Sequence, residues 1–179
     1  PQIVKEAPNA KYIIVSNPVD IMTYVFTKIS GLPENQIMGS GTILDTARLR
    51  YGLSEHFKVA QGNIHAYVFG EHGDTSFIPW TGAYISGLST DEYYEEMKAH
   101  GKDVKPLDKE AMLEYVQKSG GKVIAKKGAT FYAVSATVCQ LVGLILAASD
   151  SLATVSSMLH GEYGIEDVCL STLTLVGPN

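Results

Sequence analysis

The chain has 179 residues, 45% of them hydrophobic and 18% charged, which suits one globular domain, or one domain with a piece of another, around a real core. Lysine and arginine number 14 against 19 aspartates and glutamates, and the resulting net charge of −5 argues against a general nucleic-acid surface. No signal peptide is visible, and the most apolar helical stretch, residues 133–148, carries Gln140 and is too short to span a bilayer, so it reads as a buried core helix of a cytoplasmic protein with no membrane partner.

The chain opens Pro1-Gln2-Ile3 without an initiator methionine and closes on Val176-Gly177-Pro178-Asn179 at a strand exit, so both ends read as cut from something longer. Residues 11–15 form a continuously apolar, β-rich run of the kind found in a parallel sheet covered on both faces. Ser16-Asn17-Pro18 ends it, with Pro18 suited to the first turn of a helix over residues 19–30 and Gly31 to its C-terminal cap. A short strand at 36–38 leads through Gly39-Ser40-Gly41 into a helix over 42–57, where Thr42 and Asp45 come close to a capping box. Residues 64–69 read as a strand and 76–85 as extended. A helix then starts after Ser89 or Thr90. Two long helices follow, over 107–127 and 130–149. The first contains Gly120-Gly121, a pair that invites a kink or a close contact. Residues 154–159 and 168–176 are rich in β-branched residues and predict an antiparallel hairpin turning through 160–164.

The order predicts an α/β fold. The end of a Rossmann-type parallel sheet, residues 1–40, is followed by an α+β unit with antiparallel strands and long helices, residues 41–179. Cys139 and Cys169 sit in apolar surroundings with no CxxC pairing, and read as buried free thiols rather than a disulfide or metal site.

Chemistry concentrates in two places. Gly70-Glu71-His72-Gly73-Asp74-Thr75 puts a histidine between glycines at the end of an apolar run. Such a loop is either a turn with an idle histidine or a proton-transfer site, because imidazole titrates nearest neutral pH. On the helix over 42–57, Asp45 and Arg48 lie about 60° apart around the axis, whereas Arg48 and Arg50 lie about 160° apart. Asp45 and Arg48 can therefore face one site, and Arg50 must serve another. The guanidinium fork matches a carboxylate, and an aspartate beside a histidine fixes its tautomer and favours its cation. A surface ion pair between Asp45 and Arg48, contributing about 0.2–0.5 kcal/mol, fits the same spacing.

Ser16-Asn17-Pro18-Val19-Asp20, Gly39-Ser40-Gly41 with Leu44-Asp45-Thr46-Ala47-Arg48, and Gly70-Glu71-His72-Gly73-Asp74 occur in this order over essentially the whole chain. Together they closely resemble the NAD-dependent L-lactate dehydrogenases of the lactate/malate dehydrogenase family. The resemblance implies His72 as the acid/base that protonates the pyruvate carbonyl oxygen, Asp45 as its partner, and Arg48 as the clamp on the substrate carboxylate. It implies Asn17 near substrate and nicotinamide, Thr130 in the substrate pocket, and Val134 against the nicotinamide of bound NAD. It further places Arg50 and His65 where many bacterial members form a fructose 1,6-bisphosphate site across a subunit interface, and it implies a homo-oligomer, commonly a tetramer. The alternative is that Arg50 and His65 make ordinary interface or surface contacts.

The Gly-rich phosphate loop of the family is absent from these residues. Gly39-Ser40-Gly41 is followed by Leu44 where a third small residue belongs, and Gly70 and Gly73 are wrongly spaced. Absent too are the mobile loop whose arginine polarises the carbonyl and the family's final helix. The isolated chain is therefore expected to bind NAD weakly, to turn over poorly, and to self-associate through exposed strand edges. Glu71, Trp80 and Thr130 favour the lactate branch. Malate dehydrogenase, a branched 2-hydroxy acid dehydrogenase with a wider pocket, and a non-catalytic oligomerisation domain are the alternatives.

Overall fold

The computed structural model describes residues 1–177. Its elements are α1 (Gln2–Glu6), β1 (Tyr12–Ile14), α2 (Val19–Ser30), β2 (Ile37–Gly39), α3 (Ile43–Phe57), β3 (Ile64–His65), β4 (Tyr84–Ile85), β5 (Leu88–Ser89), α4 (Thr90–Ala99), α5 (Lys109–Lys127), α6 (Tyr132–Ile145), β6 (Ser151–His160) and β7 (Glu166–Val176). The α/β reading holds. β1 and β2 pair in parallel, β6 and β7 form the long antiparallel hairpin, and β2 meets β6 at Gly39 and Ser156. One sheet of order β1-β2-β6-β7 therefore carries both the parallel pair and the hairpin, while β3-β4-β5 make a small antiparallel sheet. β1 is an edge of the larger sheet, with only Tyr12 buried, rather than a strand covered on both faces. Pro178 and Asn179 of the expected strand exit lie outside the described residues.

α3 is the axis of the molecule. Leu49, Leu53 and Phe57 recur every fourth residue, so they form one stripe, and all three are fully buried against Ile64, Val68, Ile85 and Val116. At the other end Ile43 packs with Leu141, Ala153, Val155 and Val176. Asp45 continues the stripe one turn before Leu49, which is why this carboxylate is only 5% exposed.

Helix ends follow ordinary chemistry in several places. Gly31 closes α2 in the left-handed conformation, and Ser89 and Glu92 form a reciprocal capping box at α4. Pro18 stands one residue before the first turn of α2, as its cap. Thr42 does not cap α3. Its hydroxyl donates to Val68 O at 2.5 Å instead, so the resemblance to a capping box carries no capping bond. Gly39 and Gly41 are packing glycines. A side-chain carbon at Gly39 would lie 2.3 Å from Thr23 Oγ1, and one at Gly41, whose φ is 49°, would lie 2.3 Å from Ser171 Oγ.

The predicted strand over 64–69 is shorter in the structure, because β3 stops at His65. Side chains of α3 take over the backbone groups that follow. Arg50 Nε donates to Ala66 O at 3.1 Å, Val68 N–H donates to Thr46 Oγ1 at 3.0 Å, and Thr42 holds Val68 O. Phe69 then pairs with Phe77, and Gly70 with Ser171 of β7. The segment that delivers the histidine loop is thus bolted to a helix and bridged to the larger sheet.

Two further expectations need correction. α6 is not a buried core helix. Thr137 and Leu141 are its buried residues, while Tyr132 is 74% exposed, so one narrow stripe faces the chain and the rest has no partner in it. Cys139 accordingly lies exposed on that helix, and only Cys169 is a buried thiol, its pKa pushed up to about 12 chiefly by burial.

Candidate active site

Asp45 sits in the first turn of α3, where the partial positive charge of the helix N-terminus favours a carboxylate. Its Oδ1 accepts from Arg48 Nη1 at 3.0 Å, and its Oδ2 faces His72 Nδ1 at 2.5 Å. A carboxylate only accepts, so Nδ1 carries the proton in that bond and Nε2 is the nitrogen that can exchange one with a ligand. The His72 pKa is raised above its ordinary 6.5. The bond to Asp45 is the main cause, partial burial opposes it, Asp45 and Asp20 add attraction, and Arg48 subtracts.

The loop itself is held from several sides. His72 N–H donates to Asp20 Oδ2 at 2.8 Å, and Asp20 belongs to the first turn of α2. Gln117 of α5 donates through Nε2 to Asp74 O at 2.9 Å and to Ser76 O at 3.0 Å. Within the loop, Thr75 Oγ1 donates to Glu71 Oε2.

His72, Asp45, Arg48, Asn17, Thr130 and Val134 all line one cavity of about 190 Å³. This lies below the ~300–1,000 Å³ of drug-sized sites, so it suits a small ligand. The structure therefore brings together the six residues expected to share a site. α5 runs through Gly120-Gly121 without interruption, and Gly120 is a contact rather than a kink: a side-chain carbon there would lie 3.8 Å from both terminal nitrogens of Arg48. The cavity can hold an anion at Arg48 and move a proton at His72 Nε2. Its remaining wall includes Val15, Val134 and Val138 beside the Asn17 amide, an apolar face next to a polar handle.

Arg50 points elsewhere, as the helix geometry requires. It borders a separate cavity of about 260 Å³ with Gln61, Tyr67 and Gln140. Its guanidinium stacks 4.8 Å from the Tyr67 ring centroid while Nε holds Ala66 O. His65 is exposed and does not border that cavity.

Sequence reasoning missed Asp20 and Gln117. Asp20 carried a faint signal as a first-turn acid beside Asn17-Pro18. Gln117 carried none, since one amide on a polar helix face looks like any other. Among the described residues no group of histidine, cysteine, aspartate and glutamate could hold a metal, and no helix is long and apolar enough to cross a membrane.

Known proteins match the chain over nearly its whole length. Residues 42–179 match the lactate/malate dehydrogenase α/β C-terminal domain, and residues 1–39 match the NAD binding domain of the same proteins. An L-lactate dehydrogenase of Acetivibrio thermocellus is 46% identical over 99% of this chain and 55% of its own length. L-lactate dehydrogenase 1 of Clostridium acetobutylicum is 46% identical over 100% of this chain and 56% of its own length. A solved L-lactate dehydrogenase from Clostridium thermocellum superposes with a TM-score of 0.81 at 39% identity, covering 92% of this chain and 52% of that one. The chain thus spans about half the length of the curated relatives it matches.

Proposed function

Since the chain belongs to the lactate/malate dehydrogenase family, we propose that the protein carrying it is an NAD-dependent L-lactate dehydrogenase, interconverting pyruvate and L-lactate. The observation that carries this reading is Asp45, which bridges a proton carrier and a carboxylate clamp within one small cavity. Arg48 binds the substrate carboxylate through the guanidinium edge that Asp45 leaves open. His72 in its cationic form donates from Nε2 to the carbonyl oxygen and ends neutral. In reverse it takes the hydroxyl proton and ends cationic, stabilised by Asp45. Bound NADH would supply the hydride that reduces the carbonyl carbon.

The cavity wall suits the nicotinamide end of that cofactor. Val134 and its apolar neighbours match the ring, and the Asn17 amide matches a carboxamide or substrate oxygen. Thr130 we assign to the substrate side, which its place in the lining of the same cavity supports. We assign residues 1–40 to the dinucleotide-binding unit and 41–179 to the substrate unit, a division supported by the family matches. A cytoplasmic location suits the two free cysteines.

Relative rates on pyruvate, oxaloacetate and 2-oxoisocaproate test the substrate. The full-length protein should prefer pyruvate by at least about tenfold in kcat/KM, a gap of about 1.4 kcal/mol in transition-state binding. Preference for oxaloacetate would move the assignment to the malate branch.

Arg50 and His65 we assign to the basic part of a fructose 1,6-bisphosphate site in a homotetramer. The placement of Arg50 on the side of α3 away from Arg48, beside its own cavity, supports this. Fructose 1,6-bisphosphate should lower the KM for pyruvate and favour the tetramer in sedimentation. No change in either would remove the activator from the account.

A further inference from the structure

His72 lies in a loop whose other residues, Glu71, Gly73, Asp74 and Thr75, are exposed, yet its ring must be held against Asp45 within hydrogen-bond tolerance. Asp20 supplies part of the answer. It is 7% exposed, stands in the first turn of α2, and accepts the His72 N–H through Oδ2 at 2.8 Å. Its Oδ1 is buried and meets no donor among the described residues.

A buried carboxylate with one unserved oxygen is a costly way to hold a single N–H. The carbonyl of an asparagine would accept the same proton without burying a charge. The choice of aspartate therefore points to a use for the charge itself.

We propose that Asp20 is a second positioning carboxylate for His72, fixing the loop through the backbone N–H and favouring the imidazolium from α2, as Asp45 does from α3. Two helix N-termini, those of α2 and α3, then present one carboxylate each to a single histidine. Asp45 fixes the ring, and Asp20 fixes the backbone that carries it. The charged groups facing the imidazole are Asp45 and Arg48 from α3 and Asp20 from α2, while α5 contributes the neutral Gln117 amide to the loop. Asp20 acts in the same sense as Asp45 and against Arg48. The inference rests on the reading of His72 as the acid/base.

NMR of the uniformly 15N-labelled full-length protein carrying this chain tests it. In the unsubstituted protein the His72 amide should exchange at least about tenfold more slowly than that of Asp74, because only the former is bonded to a buried acceptor. Asp20→Asn should keep that protection, since its carbonyl still accepts, yet move the His72 titration midpoint to lower pH. Asp20→Ala should lose both. The alkaline limb of pyruvate reduction should move to lower pH with the Asp20→Asn midpoint, while NADH affinity stays constant.

An unchanged midpoint in Asp20→Asn would reduce Asp20 to a strut and overturn the proposal. So would a His72 amide that exchanges as fast as Asp74 in the unsubstituted protein, a measurement that needs no variant to fold. If the protein does not reduce pyruvate at all, the proposed activity fails, while the NMR outcome still decides the role of Asp20.

Discussion

The charge on His72 is set by what its Nδ1 touches. Because the bond to Asp45 raises its pKa, the protonated donor persists to higher pH than a free imidazole would. Pyruvate reduction should therefore fall only as pH rises through that raised value. Asp45→Asn should move the fall to lower pH and lower kcat by about 10²-fold or more, which a pH profile of steady-state rates reads directly. The same linkage acts on stability. The folded-state pKa is raised, so the His72 contribution is fully present below the ordinary value of 6.5 and is lost as pH rises through the folded value. Urea midpoints of unsubstituted protein and His72→Asn should accordingly converge toward alkaline pH. Arg48→Gln leaves a substrate carboxylate without its fork, and should raise the pyruvate KM with a loss of about 2–3 kcal/mol in kcat/KM. At this scale the residue types of His72, Asp45 and Arg48 were legible as a possible site, and the structure brings the three into contact. Only the Asp45–Arg48 spacing is local; the pairing of Asp45 with His72, 27 residues on, came from the family resemblance, and Asp20 and Gln117 act through contacts 52 and 41 or more residues away, which no local pattern encodes.

Among the elements, α2 and α4 could be read from caps and apolar periodicity in neighbouring residues, and α3 and α5 from periodicity, since Thr42 makes no capping bond. The segment after His65 could not. Its composition is that of a strand, but Thr42, Thr46 and Arg50 compete for its backbone and end the ladder early. α6 misled for a related reason. Apolar composition marks a helix that must be covered, without saying that the cover lies within the same residues. The turn between β2 and α3 gives a test at this scale. Gly41→Ala places a carbon against Ser171 Oγ and Ser156 N at positive φ. It should destabilise the fold by about 2–4 kcal/mol in chemical denaturation. A loss below 0.5 kcal/mol would mean that the turn can relax and that Gly41 is not required by packing.

For the whole molecule, α3 joins two cores, so the helix that carries Asp45 and Arg48 is also the main structural one. Much apolar surface is left outward, including Ile21, Val25 and Ile29 on α2, Tyr132 and Val142 on α6, and Leu146 just after it. Residues 1–179 expressed alone should self-associate in sedimentation and bind NADH at least tenfold more weakly than the full-length protein, having no Gly-rich phosphate loop of their own. The grouping of six residues followed only from the family resemblance, since Asn17, Thr130 and Val134 carry no pattern of their own, whereas fold class was readable from the sequence. The continuity of one sheet across the parallel and antiparallel parts was not, because the pairing of Gly39 with Ser156 joins segments more than a hundred residues apart. The central claim is that His72 carries the proton that accompanies hydride transfer. Its most direct test is single-turnover pyruvate reduction by His72→Asn in the full-length protein, with NADH binding followed in parallel. The rate should fall by about 10³-fold or more with NADH affinity retained, and a variant that reduces pyruvate at the unsubstituted rate would contradict the account.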